Sequence, residues 1–168
     1  MIAALDVQYD EDTLTGQAAA VVFERWEDAV PLTEYTAAFD GVAPYMPGQF
    51  FKRELPCLLA VLGKVGEPLD QIIVDGFIAL GEKPGLGMHL WEARDRKVAV
   101  IGVAKSHFRF ATPVEIVRGS SKRPLYVTAV GIDPSAAAEA IRRMHGSNRI
   151  PTLLKHVDRL TRAVGATA

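Results

Sequence analysis

The chain has 168 residues, 49% apolar and 23% charged, which excludes a disordered or collagen-like polymer and suffices for one hydrophobic core over a single domain, 1–168. Its apolar runs fall short of the ~20 residues a membrane span needs, so no membrane partner is expected. Met1-Ile2-Ala3-Ala4-Leu5-Asp6 lacks a basic start and a long apolar stretch, and Cys57 has no second cysteine to pair with, so a cytoplasmic protein without a secretory signal is the expectation.

The net charge of −1 hides a split: residues 1–93 carry 5 basic and 15 acidic side chains, and residues 94–168 carry 14 basic and 5 acidic. Such a division fits one lobe that meets an anionic partner and another that holds a cation, or two halves that attract each other.

In chain order, Ile2–Val7 reads as a buried strand interrupted by Asp6, followed by an acidic turn over Tyr9–Thr15. Gln17–Phe23 and Ala29–Thr36 complete a predicted meander of three antiparallel strands. Ala43-Pro44-Tyr45-Met46-Pro47-Gly48 is a proline-stiffened loop. Phe51, Leu55, Leu58 and Leu62 then recur at i, i+4, i+7 and i+11, the stripe of an amphipathic helix, with Pro56 expected near its first turn. Leu69–Val74 and Val98–Val103 read as buried parallel strands separated by a helix over Leu86–Arg96. Val114–Val117 and Leu125–Val130 form a predicted hairpin. Asp133 caps a helix that has Pro134 in its first position, and Arg149-Ile150-Pro151 opens a last helix with Leu153, Val157, Leu160 and Val164 inward. This order fits an α/β fold, a ribonuclease H-like mixed sheet with helices on both faces.

Two aspartates interrupt apolar strands: Asp6 in Ala3-Ala4-Leu5-Asp6-Val7, and Asp75 at the end of Ile72-Ile73-Val74-Asp75. Aspartate is depleted in strands, and a lone buried carboxylate costs several kcal/mol unless it is paired or bound to metal. A hard divalent cation with oxygen ligands is a shared explanation. Glu54, beside Leu55 and Leu58, and Asp158, beside Val157, stand at the borders of helical stripes and can join the same site. The structural alternatives are an Asp-Gly turn for Asp75, an ion pair with a neighbouring strand for Asp6, a solvated helix position for Glu54, and an i, i+4 pair with Arg162 for Asp158.

Ala43-Pro44-Tyr45-Met46-Pro47-Gly48, Phe51-Lys52-Arg53-Glu54-Leu55-Pro56, Ile73-Val74-Asp75-Gly76 and Ile101-Gly102-Val103-Ala104-Lys105-Ser106 together resemble the endonuclease V family in order and spacing. Leu5-Asp6-Val7 resembles that family's first strand, and Arg149-Ile150-Pro151 followed by Asp158 its last helix. The resemblance implies a ribonuclease H-like fold, Mg²⁺ or Mn²⁺ as cofactor, and cleavage of DNA at the second phosphodiester on the 3′ side of deoxyinosine, or of inosine-containing RNA, in DNA repair. It implies that Asp6, Glu54 and Asp75 hold the metal and that Asp158 supports the attacking water. Lys105, with Gly76 and Ser106 beside the catalytic strands, would meet the scissile phosphate region. Pro44, Tyr45, Met46, Pro47 and Gly48 would form a wedge entering the duplex beside the altered base. Their structural alternatives are a strand-end lysine in solvent and a loop tyrosine resting on the core.

The sequence departs from that family after Asp75. The family usually continues with Gly, a polar residue, a second Gly and soon a His, residues that help form its base pocket. Here the run is Gly76-Phe77-Ile78-Ala79-Leu80-Gly81. The Val127–Ile132 segment lacks a His that often follows the family's Gly, and the opening strand is expected without the leading segment most members carry. His89 fits the family pattern and also reads as a packing histidine. His107 and His145 read as surface residues, with His107 within possible reach of phosphate, and Cys57 reads as core. The alternatives to an inosine-directed nuclease are a diverged nucleic-acid-binding module and a nuclease of the same fold acting on other structured nucleic acid. A monomer is expected.

Overall fold

A computed structural model describes residues 1–165, with side chains to Ala163; Val164, expected on the inward stripe of the last helix, has its side chain outside the described residues. The chain forms β1 (Ile2–Asp10), β2 (Thr15–Phe23), β3 (Thr33–Asp40), α1 (Phe50–Leu62), β4 (Gln71–Asp75), β5 (Ala79–Leu80), β6 (Lys83–Pro84), α2 (Leu86–Ala93), β7 (Ala99–Ala104), β8 (Val114–Ile116), β9 (Leu125–Val130), α3 (Pro134–Arg143) and α4 (Thr152–Gly165). Seven strands make one mixed sheet in the order β3-β2-β1-β4-β7-β9-β8. β1, β2 and β3 are an antiparallel meander, β1 pairs parallel with β4 and β4 with β7, and β9 returns antiparallel. This is the ribonuclease H-like arrangement expected from the order of elements.

Alternation along the strands sorts the core into two layers. Ala3, Leu5 and Val7 of β1 join Ile72 and Val74 of β4 under α1 and α2, with Cys57, Leu58, Val61, Leu62 and Leu90 packed against them. Ile2 and Ala4 join Ile73, Ile101, Val103 and Val127 under α3 and α4, which supply Ala137, Ile141, Leu153 and Val157. Asp6 shares the parity of Ile2 and Ala4, and Asp75 that of Ile73, so both aspartates belong to the α4 side.

Several expected boundaries move. The third strand runs Thr33–Asp40 rather than Ala29–Thr36, because Pro31 has no N–H for a ladder and Val30 and Leu32 stand exposed at its approach. β1 extends through Asp10, which narrows the acidic turn; the Asp10 carboxylate accepts from the backbone N–H groups of Asp12 and Thr13. Pro56 lies inside α1 rather than near its first turn, since the helix begins at Phe50. Its missing N–H would have served the carbonyl of exposed Lys52, where solvent can take over. α2 ends at Ala93, short of Arg96, because Asp95 and Arg96 adopt left-handed backbone, φ 55° and 60°. The small β5–β6 hairpin is new, and it falls in the segment that departs from the family pattern. Asp133 caps α3 as read, accepting from the Ala136 N–H at 3.0 Å. Among the described residues, no helix is long and apolar enough to cross a membrane.

Candidate active site

The parallel register that pairs Ala3 with Ile72 and Ala4 with Ile73, carried two residues further, sets Asp6 across from Asp75 at the carboxyl ends of β1 and β4. Open α/β sheets bind ligands at such strand ends. On the other side of β4, Asp75 pairs with Val103, and two residues on Lys105 leaves β7 with its Nζ 3.9 Å from Asp75 Oδ2. α4 crosses the same rim with Asp158. α1 brings Glu54 over the edge from the opposite layer. Asp6, Glu54, Asp75, Lys105 and Asp158 thus line one open cleft of about 170 Å³, together with Gln8 and Arg162.

Each side chain has a defined hold. Thr161 is buried on α4, and its hydroxyl lies 2.6 Å from the Asp158 carbonyl and 3.5 Å from Asp6 Oδ2. Asp158 Oδ1 accepts from Gln8 Nε2 at 3.4 Å and from the Arg162 guanidinium at 3.2 Å. The i, i+4 pair offered as the structural alternative for Asp158 therefore forms, and the same carboxylate still faces the cleft. Arg53, next to Glu54, is buried; it donates to Glu11 Oε1 at 2.6 Å and lies 4.3 Å over the Tyr9 ring. This contact fastens the start of α1 to the β1–β2 turn and so fixes where Glu54 enters.

Four carboxylates share the cleft with two bases, and the charge imbalance appears in their proton affinities. Burial, then the charges of Asp75 and Asp6, push Glu54 up to about 7 against the pull of Arg53. Burial is also the main cause that raises Asp6 to about 6, aided by Asp158 and Asp75 and opposed by the Val7 N–H. Asp75 is raised mainly by burial, with Lys105 pulling it down and Asp158 adding a smaller push upward. Its side chain is nevertheless 58% exposed, so solvent screens it more than the other two. A cleft that holds carboxylates against their own repulsion suits a hard cation. Among the described residues, no three His, Cys, Asp or Glu side chains close into a ready metal cage.

The remaining expected residues do not join this cleft. Pro44, Tyr45, Met46, Pro47 and Gly48 are exposed on the loop before α1. The Tyr45 ring packs edge-on against Phe50 at 5.1 Å instead of resting on the core. Gly76 and Ser106 adjoin Asp75 and Lys105 in the chain but are not among the cleft walls. Gly76 has φ 114°, and a Cβ on Gly102 would strike the Gly76 carbonyl oxygen, so two glycines set the close approach of β7 to the end of β4. His89 stacks on Phe51 with ring centroids 3.8 Å apart, which makes it a packing residue, and Cys57 is fully buried. Gln8, Thr161 and Arg162 also stand at the site, beyond the residues expected from the sequence. Only the i, i+4 spacing of Arg162 from Asp158 carries a signal in the sequence; Gln8 and Thr161 take their places through β1–α4 packing, which no local pattern encodes.

The family model described as Endonuclease V matches residues 1–150. The Endonuclease V of Xanthomonas axonopodis pv. citri is 33% identical over 116 residues, 67% of this chain and 48% of that protein. That of Streptomyces avermitilis is 36% identical over 111 residues, 66% of this chain and 47% of the relative. The chain spans about half the length of the curated relatives it matches. The crystal structure of the Streptomyces avermitilis Endonuclease V is similar with a TM-score of 0.80 at 27% identity, covering 99% of this chain and 82% of that one. A Ciona intestinalis Endonuclease V in complex with a 24mer DNA containing an inosine followed by a ribo-adenosine shares the fold, with a TM-score of 0.81 at 17% identity over 99% of this chain and 86% of that one.

Proposed function

The chain belongs to the endonuclease V family, and we propose that it is a divalent-metal-dependent endonuclease that hydrolyses a phosphodiester on the 3′ side of a deaminated purine in DNA or RNA. One observation carries this reading: carboxylates from four distant segments meet Lys105 in a single cleft at the ends of parallel strands. The inosine-bearing DNA held by the Ciona relative supports the choice of strand to test.

Asp6, Glu54 and Asp75 would hold Mg²⁺ or Mn²⁺. When bound, that ion would neutralise charge at the phosphate and make water a better nucleophile near neutral pH. The chain's own residues do the rest. Lys105 places a positive charge where a phosphate oxygen gathers negative charge in the transition state. Asp158, oriented by Gln8 and Arg162, accepts a proton from the attacking water. The water oxygen bonds to phosphorus, the ester P–O bond breaks, and the departing sugar oxygen takes a proton from solvent. Repair of deaminated bases is the role such an activity would serve.

The test is incubation of the folded protein with Mg²⁺ or Mn²⁺ and inosine-containing single and double strands. Cleavage near inosine is expected, and Asp75→Asn should slow it by roughly a hundredfold. Failure to cut any of these strands would count against the assignment. A second reading, a binding module that has lost cleavage, is favoured by the altered Phe77–Gly81 run. It predicts binding to inosine strands that is unchanged in Asp6→Ala, with no cutting by either form.

A further inference from the structure

We propose that Phe77, Phe108 and Phe110, with Arg109, form a stacking platform for unpaired nucleobases of the strand whose backbone crosses the carboxylate cleft. The inference rests on the nuclease reading of that cleft and adds how the strand is gripped.

The three rings touch in series, and the chain ties them to the cleft residues Asp75 and Lys105. Phe77 is two residues past Asp75, and Phe108 is three past Lys105. Ring centroids lie 6.1 Å apart and tilted by 49° for Phe77 and Phe108, and 5.8 Å apart and edge-on at 67° for Phe108 and Phe110, so each ring offers its own face to a base. Phe110 is 59% exposed, and the Arg109 guanidinium sits 4.6 Å from its centroid.

Phe77 is held firmly. The Gly76 N–H donates to the Val103 carbonyl at 3.1 Å, and the Ile78 N–H donates to Thr128 Oγ1 at 3.0 Å. Ile78 turns inward, only 4% exposed, into space that Gly87 leaves free, so its neighbour Phe77 is set on the outer side. Gly81, at φ 69° in the β5–β6 turn, has no Cβ to crowd Phe110; one placed there would stand 3.2 Å from the Phe110 Cβ. The hairpin thus backs the platform. Rings fixed before the ligand arrives lose little freedom on binding.

The charges around the rings identify the occupant. Lys105-Ser106-His107-Phe108-Arg109-Phe110 carries two permanent cations and no acid. A polyanion with aromatic faces matches both features: cations meet phosphates, and rings and guanidinium stack on bases. Stacking uses the base face, which every base has, so this contact favours single strands over duplex and is indifferent to base identity.

The test is fluorescence anisotropy without divalent metal, using a labelled single strand of natural bases, the same strand with consecutive abasic sites, and a blunt duplex. The full chain should bind the base-bearing strand best. Phe110→Ala and Phe108→Ala should each weaken that binding roughly tenfold and scarcely change binding to the abasic strand. Phe110→Trp should restore it, and thermal melts confirm that each variant is folded. Unchanged affinity in both alanine variants, or an equal loss on base-bearing and abasic strands, would overturn the platform. Because only binding is read, absence of cleavage by the parent protein would remove the nuclease assignment and leave this result interpretable.

Discussion

Glu54 enters the cleft from α1 with its proton affinity raised from an ordinary 4.5 to about 7, chiefly by burial and then by Asp75 and Asp6. The consequence for stability has a definite sign. Below pH about 4.5 the group is protonated in the folded and the unfolded chain alike and costs nothing. As pH rises toward about 7 the unfolded chain sheds the proton first, so the metal-free fold loses stability through this window and carries the full cost above it. Glu54→Gln should therefore melt higher than the parent at pH 8 without metal, by about 1–2 kcal/mol after discounting for solvent screening, and match it near pH 4.5. Thermal melts across pH 4.5–8 check this; a variant less stable than the parent at pH 8 would contradict it. Lys105→Ala tests the other sign of charge. Removing a base 3.9 Å from Asp75 should slow cleavage by roughly ten- to a hundredfold, and should reduce the slope of log affinity against log salt by about 1.

At the scale of elements, the site follows from strand register. Asp6 and Asp75 are legible in the sequence because a carboxylate inside Ala3-Ala4-Leu5 or Ile72-Ile73-Val74 contradicts its surroundings, and such conflicts gather where function overrides local preference. Lys105 is less distinctive, since a lysine after a buried strand is ordinary; its signal is the motif Gly102-Val103-Ala104-Lys105-Ser106 around it. What the sequence does not display is contact across layers: Thr161 with Asp6, Gln8 with Asp158, and Arg53 with Glu11 join residues whose separation in the chain has no period. The displaced third strand is a miss of another kind, since Pro31 already bars an earlier start in the sequence, and Pro56 lies inside α1 because that helix begins at Phe50. Gly102 offers a test of the element geometry. Gly102→Ala would drive a Cβ into the Gly76 carbonyl and within 2.8 Å of Thr128 Oγ1, parting β7 from the end of β4. A loss of about 2 kcal/mol or more in urea unfolding is expected, and an unperturbed midpoint would contradict the close approach.

Across the whole molecule, the charge split shows in contacts between the two halves. The halves do attract, through Lys105–Asp75 and Arg143–Glu27. The basic half also lays Lys105, Arg149 and Lys155 along a hollow that shares Asp158 with the acidic cleft. Behind that hollow, buried Arg118 donates to the carbonyls of Met144, Gly146 and Asn148, which fixes the loop that presents Arg149; Arg149 in turn donates to the Pro124 carbonyl at 2.8 Å. Arg118→Met would leave the buried Met144 carbonyl without its donor and free the loop from Gly146 to Asn148, and should lower stability by about 1–3 kcal/mol, read as a shift in the urea midpoint.

The central claim is that carboxylates from separate elements share one divalent ion. It is tested most directly by following Mn²⁺ binding to the metal-free protein by electron paramagnetic resonance at pH 7.5, alongside Asp6→Asn and Asp75→Asn. Saturable binding by the parent, accompanied by proton release and abolished in both variants, is the predicted result. Binding by either variant as tight as the parent's, or no saturable binding by the parent, would contradict it.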